Sequence, residues 1–316
     1  MANLLSSWSS DLDSLPEKYI VPEEKRPGAL LAPVSKDIPA IDLSEGDRAS
    51  IIQKIMKASQ EFGFFQVINH GVSEKLMIDA VNVGKEFFSM PAEEMENFAA
   101  KDSRKGCKVY TGSGNCGSHD FGLWRDTLQH PCHPLEKWTN IFPDKPAGYR
   151  GTTGPYTVEV RKLGIRILDM ICEGLGLTEE NYDYHDLLLM IHNYPACPDP
   201  SSALGVSGHR WPMDWCGTSS KCFCIPISFS MEVHIQLRSA VHRMVTNSAC
   251  SRTSLVNFFN CPSDRLIEPV KSLVSPSDPP AFRAFHMKEY LEVLFGKNSD
   301  SEVTAEYFKI KSQASK

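Results

Sequence analysis

Four polar residues that lie far apart in the chain place the strongest constraint on how it can fold. His209 and His242 are separated by 33 positions, and Arg252 and Ser254 follow the second histidine. Two imidazoles can bind a divalent iron ion, and a guanidinium beside a hydroxyl can bind a small dicarboxylate through charge-assisted hydrogen bonds. A fold that uses all four residues in one site must therefore bring residue 209 against the region 242–254.

The composition argues against several classes of function. The 316 residues are 41% hydrophobic and 23% charged, which is typical of a globular protein with a sizeable core. A net charge of -6 argues against nucleic acid as a main partner. No apolar run approaches the roughly 20 residues of a membrane helix, and Met1–Trp8 lacks the basic and apolar regions of a secretory signal.

The cysteines indicate a reducing compartment. Ten are scattered without a C-x-x-C pair, as expected of free or buried thiols rather than a disulfide framework. Cys222-Phe223-Cys224 is too closely spaced for the usual zinc ligands, and Cys197 lies among prolines without a neighbouring base that would make it a nucleophile. We therefore expect a cytoplasmic monomer with no nucleic-acid or membrane partner.

Apolar periodicity predicts helices packed on one β-rich domain. The predicted elements are an edge strand over 38–43, a helix over 47–62, a strand over 64–70, a helix between Ser73 and Met90, a short acidic helix after Pro91, a helix over 156–175 and a buried strand over 187–191. Residues 99–121 are rich in Gly and Lys and are predicted to form a mobile loop. Short strands and turns are expected to fill much of the rest.

Several motifs carry a resemblance to a known family. They are Ile38-Pro39-Ala40-Ile41-Asp42-Leu43, Phe62-Gly63-Phe64-Phe65-Gln66-Val67-Ile68-Asn69-His70-Gly71, Phe87-Phe88-Ser89-Met90-Pro91, Tyr194-Pro195-Ala196-Cys197-Pro198 and His242-Arg243-Met244-Val245. Together they resemble the plant iron(II)- and 2-oxoglutarate-dependent dioxygenases from residue 38 to 295, except near 210–236. Trp124-Arg125-Asp126-Thr127-Leu128 and Cys132-His133-Pro134-Leu135 favour the hyoscyamine 6-hydroxylase-like branch.

The resemblance implies both a fold and a chemistry. The fold is α+β and mainly β, a double-stranded β-helix, or jelly roll, flanked by helices. The cofactor is Fe(II) and the cosubstrate 2-oxoglutarate, with dioxygen as the oxidant and ascorbate as an additional reductant. The family's His-x-Asp pair can share one ion because strand residues i and i+2 point the same way, and a distant His completes the site. The substrate is a small plant specialised metabolite, which is hydroxylated or otherwise oxidised.

Residue by residue, the resemblance assigns the candidate site. His209 matches the first metal ligand and His242 the distal one. Arg252 and Ser254 match the Arg-x-Ser that holds the far carboxylate of 2-oxoglutarate, and Tyr194 matches a hydroxyl that helps to bind the same cosubstrate. No catalytic residue is expected beyond this metal centre.

Each residue alone has an ordinary alternative. A lone histidine is usually a core or surface residue, and Arg252 alone would be a solvated cation. Asp42 is expected to be a hydrogen-bond acceptor at a strand end rather than a catalyst. Only the joint spacing within the motifs supports the functional assignment.

The sequence departs from the family pattern at the metal carboxylate. Trp211 occupies that position, and an indole has one N–H donor and no lone pair to give a metal. Asp214 follows Pro212 and does not inherit the i, i+2 geometry, and nothing in the sequence places His234 as a replacement. A second departure is His192, which stands where the family has Asn two residues before the tyrosine.

The spacing of the two histidines indicates that part of the chain has been lost. The family pattern leaves room for more residues between them, which normally form central strands, so the jelly roll is expected to lack strands and to expose edges. With suitable synonymous codons, shifting the reading frame of residues 211–217 by one base allows a strand–turn–strand sequence like that of the family. We therefore hypothesise that residues 210 to 228 are an out-of-frame reading from a splice variant, a gene-model error or a decayed copy.

Four regions are expected. They are an extended N-terminal arm over 1–36, an N-terminal dioxygenase region over 37–150, a jelly-roll domain over 151–296 with 210–236 atypical, and a tail over 297–316. The chain is predicted to be a dioxygenase impaired by Trp211. The alternative is a catalytically inactive relative or a splice or gene-model variant, with a binding role or without a stable fold.

Overall fold

The structure is a computed structural model that describes most of the chain. The described residues are 4–28, 37–95, 98, 106–112, 121–177, 186–209, 215–219, 222–226, 237, 242–271, 274–277, 279–296 and 301–310. Only the backbone is described at 209, 215–219, 222–226, 260, 295–296 and 301–302. Among the described helices, none is both long enough and apolar enough to cross a bilayer.

The strands of the described chain form one large sheet and two small ones. They are β1 (Ala40–Asp42), β2 (Phe64–Ile68), β3 (Lys108–Thr111), β4 (Asp126–His133), β5 (Asp186–Tyr194), β6 (Leu204–His209), β7 (Trp215–Ser219), β8 (Cys222–Pro226), β9 (His242–Val245), β10 (Arg252–Asn260), β11 (Leu266–Ile267) and β12 (Phe285–His286). The large sheet has the order β1-β2-β8-β7-β10-β5-β4-β3. β6 pairs with β9, and β11 with β12. Only the β1–β2 pairing is parallel among the described strands.

Most of the described helices pack against one face of the large sheet, and the last two pack beside the small β11–β12 sheet. The helices are α1 (Arg48–Glu61), α2 (Glu74–Phe88), α3 (Ala92–Met95), α4 (Leu135–Trp138), α5 (Tyr149–Gly174), α6 (Met287–Gly296) and α7 (Ser301–Phe308). The predicted starts of α1 and α2 are confirmed, because Asp47 accepts a hydrogen bond from the Ser50 N–H and Ser73 accepts one from the Leu76 N–H. These caps fix where the two helices begin and therefore which apolar stripe faces the sheet.

Two glycines allow the helices to lie close to the sheet. A methyl group on Gly84 of α2 would lie 2.9 Å from Cγ2 of Ile191 on β5. A methyl group on Gly164 of α5 would overlap the ring of Phe259 on β10. The side chains of these two strands that meet the helices are therefore at odd-numbered positions, and the even-numbered side chains point to the opposite face.

The structure corrects two of the predicted elements. Strand β3 lies inside the predicted loop over 99–121, and β4 was not predicted because Pro131 interrupts its pattern. The register shifts between Pro131 and His133, so the proline is accommodated at an irregularity in the ladder. Helix α5 begins at Tyr149 rather than 156, with Pro155 inside it; the buried Tyr149 ring anchors its first turn.

The described part of the N-terminal arm, residues 4–28, packs against the body of the protein. Leu5 and Tyr19 are buried in a cluster with Trp124, and Val21 is buried against Leu204 at the start of β6. The Val21 N–H donates to the Ser202 carbonyl at 2.9 Å. The arm therefore contacts the strands that carry the candidate site.

Candidate functional site

The candidate cosubstrate residues lie together on the face of the large sheet that points away from the helices. In the antiparallel β5–β10 pair, Arg252 is the partner of Tyr194 and Ser254 is the partner of His192. Residues i and i+2 of a strand share a face, so the four side chains form one cluster. We call these four residues the carboxylate patch. The three residues predicted for 2-oxoglutarate are thus brought together.

Within the carboxylate patch, Arg252 and Tyr194 are in direct contact. The guanidinium carbon of Arg252 lies 5.4 Å from the centroid of the Tyr194 ring, which is cation–π distance. Tyr194 and Ser254 are buried, whereas Arg252 is exposed. A guanidinium stacked on a ring keeps its edge of N–H donors available, so this arrangement can receive a carboxylate from solvent.

His192 is held in place by a residue that the sequence analysis did not identify. The His192 Nδ1 atom lies 2.9 Å from the hydroxyl of Thr127, and both side chains are buried. The two residues are cross-strand partners in the β4–β5 pair. The centroid of the His192 ring is 6.1 Å from the centroid of the Tyr194 ring. Thr127 was missed because strand β4 was not predicted, and only that strand places it beside His192.

The two candidate metal ligands occupy paired backbone positions of the small β6–β9 sheet. His209 and His242 are Cα partners in this antiparallel pair, and the His242 side chain is partly buried. The small sheet lies against the carboxylate patch, because a methyl group on Gly205 of β6 would lie 2.5 Å from two carbons of the Tyr194 ring. The fold thus places both histidines on a strand pair that packs against the cosubstrate residues.

A third metal ligand is not found among the described residues. No group of three or more His, Cys, Asp or Glu side chains in the described part of the chain could hold a metal ion. Trp211, Asp214 and His234 all lie outside the described residues. The side chains of Cys222 and Cys224 are also outside the description.

The structure also places Asp42 and Cys197, two residues that the sequence analysis left outside the candidate site. Asp42 accepts hydrogen bonds from the Ser44 N–H at 2.8 Å and from Asn69 Nδ2 at 2.6 Å, which confirms its expected role at a strand end. These hydrogen bonds, from Ser44 above all, lower the pKa of Asp42. Cys197 is buried, and desolvation raises the pKa of its thiol, which disfavours the nucleophilic thiolate.

Beyond the carboxylate patch, the same face of the sheet presents a mixed polar and apolar surface. The next row contains Gln129, Met190 and Val256, which are cross-strand neighbours on β4, β5 and β10. The Tyr110 hydroxyl donates to Gln129 Oε1 at 2.9 Å. This face of the sheet therefore combines an amide, a phenol and apolar side chains.

Comparison with known proteins identifies the family. Residues 38–147 match a family described as "non-haem dioxygenase in morphine synthesis N-terminal". The chain is 35% identical to hyoscyamine 6-dioxygenase of Hyoscyamus niger over 346 positions, which cover 98% of this chain and 99% of that protein. It is 30% identical to flavanone 3-dioxygenase 2 of Oryza sativa subsp. japonica over 326 positions, which cover 94% of this chain and 95% of that protein.

A solved structure agrees with the sequence comparison. The crystal structure of JOX2 in complex with 2OG, Fe and JA superposes with a TM-score of 0.81 at 27% identity and covers 95% of each chain. The expected double-stranded β-helix with flanking helices is thereby confirmed, as are iron(II) and 2-oxoglutarate as the family's cofactor and cosubstrate. The chain is a member of the plant iron(II)- and 2-oxoglutarate-dependent dioxygenases and belongs to their hyoscyamine 6-hydroxylase-like branch.

Proposed function

We propose that this chain derives from an oxygenase that hydroxylates or otherwise oxidises a small plant specialised metabolite, and that its own iron centre is impaired. The observation that carries the proposal is the residue at position 211. A tryptophan stands two residues after His209, where the family has its metal-binding aspartate. The other residues that match the family pattern, the two histidines together with Tyr194, Arg252 and Ser254, are kept.

The kept residues fit the organic cosubstrate. Arg252 offers a planar set of N–H donors to a carboxylate, and Ser254 offers a hydroxyl on the same face of β10. Tyr194 lies opposite Arg252 and supports its guanidinium from one side. These residues bind and orient a dicarboxylate, and its binding covers the otherwise exposed arginine.

The metal ligands do not fit a complete iron site. His209 and His242 supply two imidazoles, but the indole of Trp211 has no lone pair for a metal and is bulky where a carboxylate oxygen is needed. When bound in an intact relative, iron activates dioxygen for the oxidation of the substrate. We infer that this chain binds iron(II) weakly because one ligand of the usual set of two histidines and one carboxylate is lost.

The length of the chain supports the hypothesis that a segment present in relatives has been lost. The alignment with hyoscyamine 6-dioxygenase has 346 positions, whereas the chain has 316 residues, so at least 30 positions are gaps in this chain. The frame-shift hypothesis for residues 210 to 228 offers a cause for both the shortening and Trp211. The coding DNA tests it: alignment to a paralogue with no frame offset across codons 205–240 would contradict the hypothesis.

A second candidate function is a catalytically silent protein that binds a ligand. The observation that favours it is that Tyr194, Arg252 and Ser254 are kept while position 211 carries a tryptophan. Such a protein would hold a small molecule without oxidising it. The two candidate functions predict different rates of 2-oxoglutarate turnover, so a single measurement of turnover distinguishes them.

The decisive experiment measures succinate formation. The chain is purified anaerobically, supplied with iron(II), 2-oxoglutarate and dioxygen, and compared with hyoscyamine 6-dioxygenase from Hyoscyamus niger as an intact relative. We expect no succinate above an iron-free control. Turnover comparable to that of the intact relative would overturn the proposed impairment.

A restoring substitution separates the metal ligand from other defects. We expect Trp211→Asp to raise the affinity for cobalt(II), a spectroscopic substitute for iron(II), by about tenfold or more, since a carboxylate supplies an anionic oxygen ligand. Trp211→Ala is the matched control, because it removes the indole without adding a ligand. Equal affinities of the two variants would show that the missing carboxylate is not the cause.

We also infer that the chain acts as a monomer in the cytoplasm. The six cysteines whose side chains are described are free thiols, in keeping with a reducing compartment. Light scattering of the purified chain tests the monomer, and a fluorescent fusion in plant cells tests the location. A dimer mass, or a signal confined to an organelle, would contradict these inferences.

A further inference from the structure

We propose that Trp124 positions the Tyr194 ring of the candidate site, and that the N-terminal arm holds Trp124 in place. The proposal deepens the proposed function and rests on it for the role of Tyr194 in cosubstrate binding. Trp124 acts through Tyr194 and is therefore a positioning residue, and the arm is the element that fixes the Trp124 ring.

The two N–H groups of Trp124 connect the two strands that meet at Tyr194. Its indole N–H donates to the Pro195 carbonyl at 3.1 Å, directly after Tyr194 at the end of β5. Its backbone N–H donates to the Leu204 carbonyl at 2.8 Å, directly before Gly205 in β6. One residue therefore binds the chain next to each member of the Tyr194–Gly205 contact.

The contact between Tyr194 and Gly205 leaves the ring little freedom. A methyl group on Gly205 would lie 2.5 Å from two carbons of the ring, so the ring lies directly against the strand backbone. The guanidinium carbon of Arg252 lies 5.4 Å from the centroid of the same ring. A shift of β6 therefore moves the ring, and the guanidinium that lies over it loses a cation–π contact.

Burial makes the hydrogen bonds of Trp124 selective for one arrangement of the strands. Trp124, Pro195 and Leu204 are all buried. A buried carbonyl or N–H group without a partner is unfavourable, because it has also lost its hydrogen bonds to water. Moving β6 away from the end of β5 would break one of the two hydrogen bonds of Trp124. The two strands are therefore held at one spacing.

Two aromatic rings of the arm fix the plane of the Trp124 ring. The Tyr19 ring centroid lies 5.0 Å from that of Trp124 at an interplanar angle of 82°, and the Trp8 centroid lies 6.1 Å away at 78°. Such edge-to-face contacts stabilise aromatic pairs beyond the area that they bury. The Gly122 N–H also donates to the Lys18 carbonyl at 2.6 Å, and a methyl group on Gly122 would lie 2.7 Å from the Tyr19 ring. The arm therefore fits closely against the segment that carries Trp124.

The arm is attached to both parts of the chain that Trp124 connects. The backbone N–H groups of Leu5 and Ser6 donate to the Asp126 carboxylate on β4, at 2.9 and 2.7 Å. The Val21 N–H donates to the Ser202 carbonyl at 2.9 Å, two residues before β6 begins. The arm therefore spans from β4 to the chain that enters β6, and its detachment is expected to release Trp124 and β6 together.

Hydrogen–deuterium exchange of the full chain measures whether Trp124 holds β6. Trp124→Phe keeps an aromatic ring but removes the indole N–H, and we expect the β6 amides to exchange about fivefold faster or more, because the strand opens more often. Trp138→Phe is the matched control, since the Trp138 indole N–H donates to the His133 carbonyl at the same distance of 3.1 Å. Exchange in β6 that is unchanged by Trp124→Phe, or accelerated equally by both variants, would overturn the proposal.

Exchange in α1 separates a local loosening of β6 from a general loss of stability. A substitution that only destabilises the whole fold accelerates exchange in α1 and β6 alike. We expect Trp124→Phe to leave the exchange of α1 within about twofold of wild type. Equal acceleration in both elements would show that Trp124 is only a structural residue of the core.

The role of the arm is tested by Trp8→Ala. We expect exchange in β6 to rise by about threefold or more, since one of the rings that fix Trp124 is removed. Ile20→Ala is the control, because Ile20 lies on the same arm and its side chain is exposed. In the double variant Trp8→Ala/Trp124→Phe, the increase should be smaller than the product of the two single increases, because both substitutions act on one contact. A full product, or no effect of Trp8→Ala, would show that the arm does not act through Trp124.

Calorimetric titration with 2-oxoglutarate connects the position of the Tyr194 ring to binding. We expect Trp124→Phe to weaken binding by about threefold or more and Trp138→Phe to leave it unchanged. An unchanged affinity of the Trp124 variant would contradict its role in positioning Tyr194, and absence of binding to the wild type would contradict the role of Tyr194 itself. The proposed function fails on succinate formation at the rate of an intact relative, whereas this inference fails on the exchange of β6.

Discussion

The ring of Tyr194 lies directly against the backbone of Gly205, so close that a methyl group on the glycine would sit 2.5 Å from two ring carbons. This contact joins β6, which carries His209, to β5, which carries the carboxylate patch. The glycine is required for close approach, because any side chain at this position would push the ring or the strand away. The contact therefore sets the spacing between the two halves of the candidate site.

Gly205→Ala is expected to weaken dicarboxylate binding and to destabilise the fold. Displacing the Tyr194 ring also moves the guanidinium that stacks on it, and overpacking of this kind typically costs about 1–3 kcal/mol. Calorimetric titration with 2-oxoglutarate and a denaturant titration measure the two effects. Gly148→Ala is a matched control, since a methyl group there meets nothing within 4 Å. Unchanged binding by the Gly205 variant would show that the ring position does not matter.

Two glycines of α5 are expected to change the free energy of unfolding in opposite directions when each is replaced by alanine. Gly164→Ala in α5 would force the added methyl group into the Phe259 ring, and we expect a loss of at least about 1–3 kcal/mol in the free energy of unfolding. Gly151→Ala in the same helix meets nothing within 4 Å and is expected to stabilise by about 0.5–1 kcal/mol through helix propensity. Urea unfolding of both variants measures the signs. Losses of similar size at both sites would contradict the packing seen at Phe259.

The family resemblance assigns Tyr194, Arg252 and Ser254 to one site, and a short-range rule explains why the paired residues share a face. Arg252 and Ser254 are two residues apart on a strand, as are His192 and Tyr194, so each pair shares a face wherever the strand lies. The element boundaries of α1 and α2 are local in the same sense, because Asp47 and Ser73 cap them within one turn.

Non-local pairing accounts for what the sequence does not predict. Nothing near Thr127 indicates that β4 pairs with β5, and Pro131 weakens the strand pattern there. The burial of Leu5 depends likewise on Trp124, a residue more than a hundred positions away. Such contacts become visible only when the strands are assembled.

The buried histidine on β4 predicts a pH dependence of stability. His130 lies 2.7 Å from the Tyr149 hydroxyl, and burial lowers its pKa from 6.5 to about 4. The unfolded chain therefore takes up a proton between about pH 6.5 and 4 that the folded chain does not, so stability is lost as the pH falls through this window. The contribution of His130 is expected to shrink by about 2 kcal/mol between pH 7 and 4.5.

His130→Gln separates the contribution of His130 to the pH dependence of stability from the contributions of the other titrating groups. Glutamine keeps a polar side chain near Tyr149 and does not titrate. The difference in unfolding free energy between wild type and variant, from urea titrations at pH 7 and 4.5, should narrow at the lower pH. A difference that stays constant would show that His130 is protonated equally in both states.

Asp126 predicts how the N-terminal arm is held. Its buried carboxylate accepts hydrogen bonds from the Leu5 N–H at 2.9 Å, the Ser6 N–H at 2.7 Å and the Thr111 hydroxyl at 2.6 Å, while burial raises its pKa. Asp126→Ala leaves two backbone N–H groups without this acceptor, each costing about 1–3 kcal/mol when it stays buried, so we expect the arm to detach rather than remain docked. Limited trypsin digestion at Lys18 and Lys25 reports the detachment. Asp126→Asn keeps one acceptor oxygen and should be cut at an intermediate rate, whereas cleavage of the alanine variant at the wild-type rate would mean that apolar packing alone holds the arm.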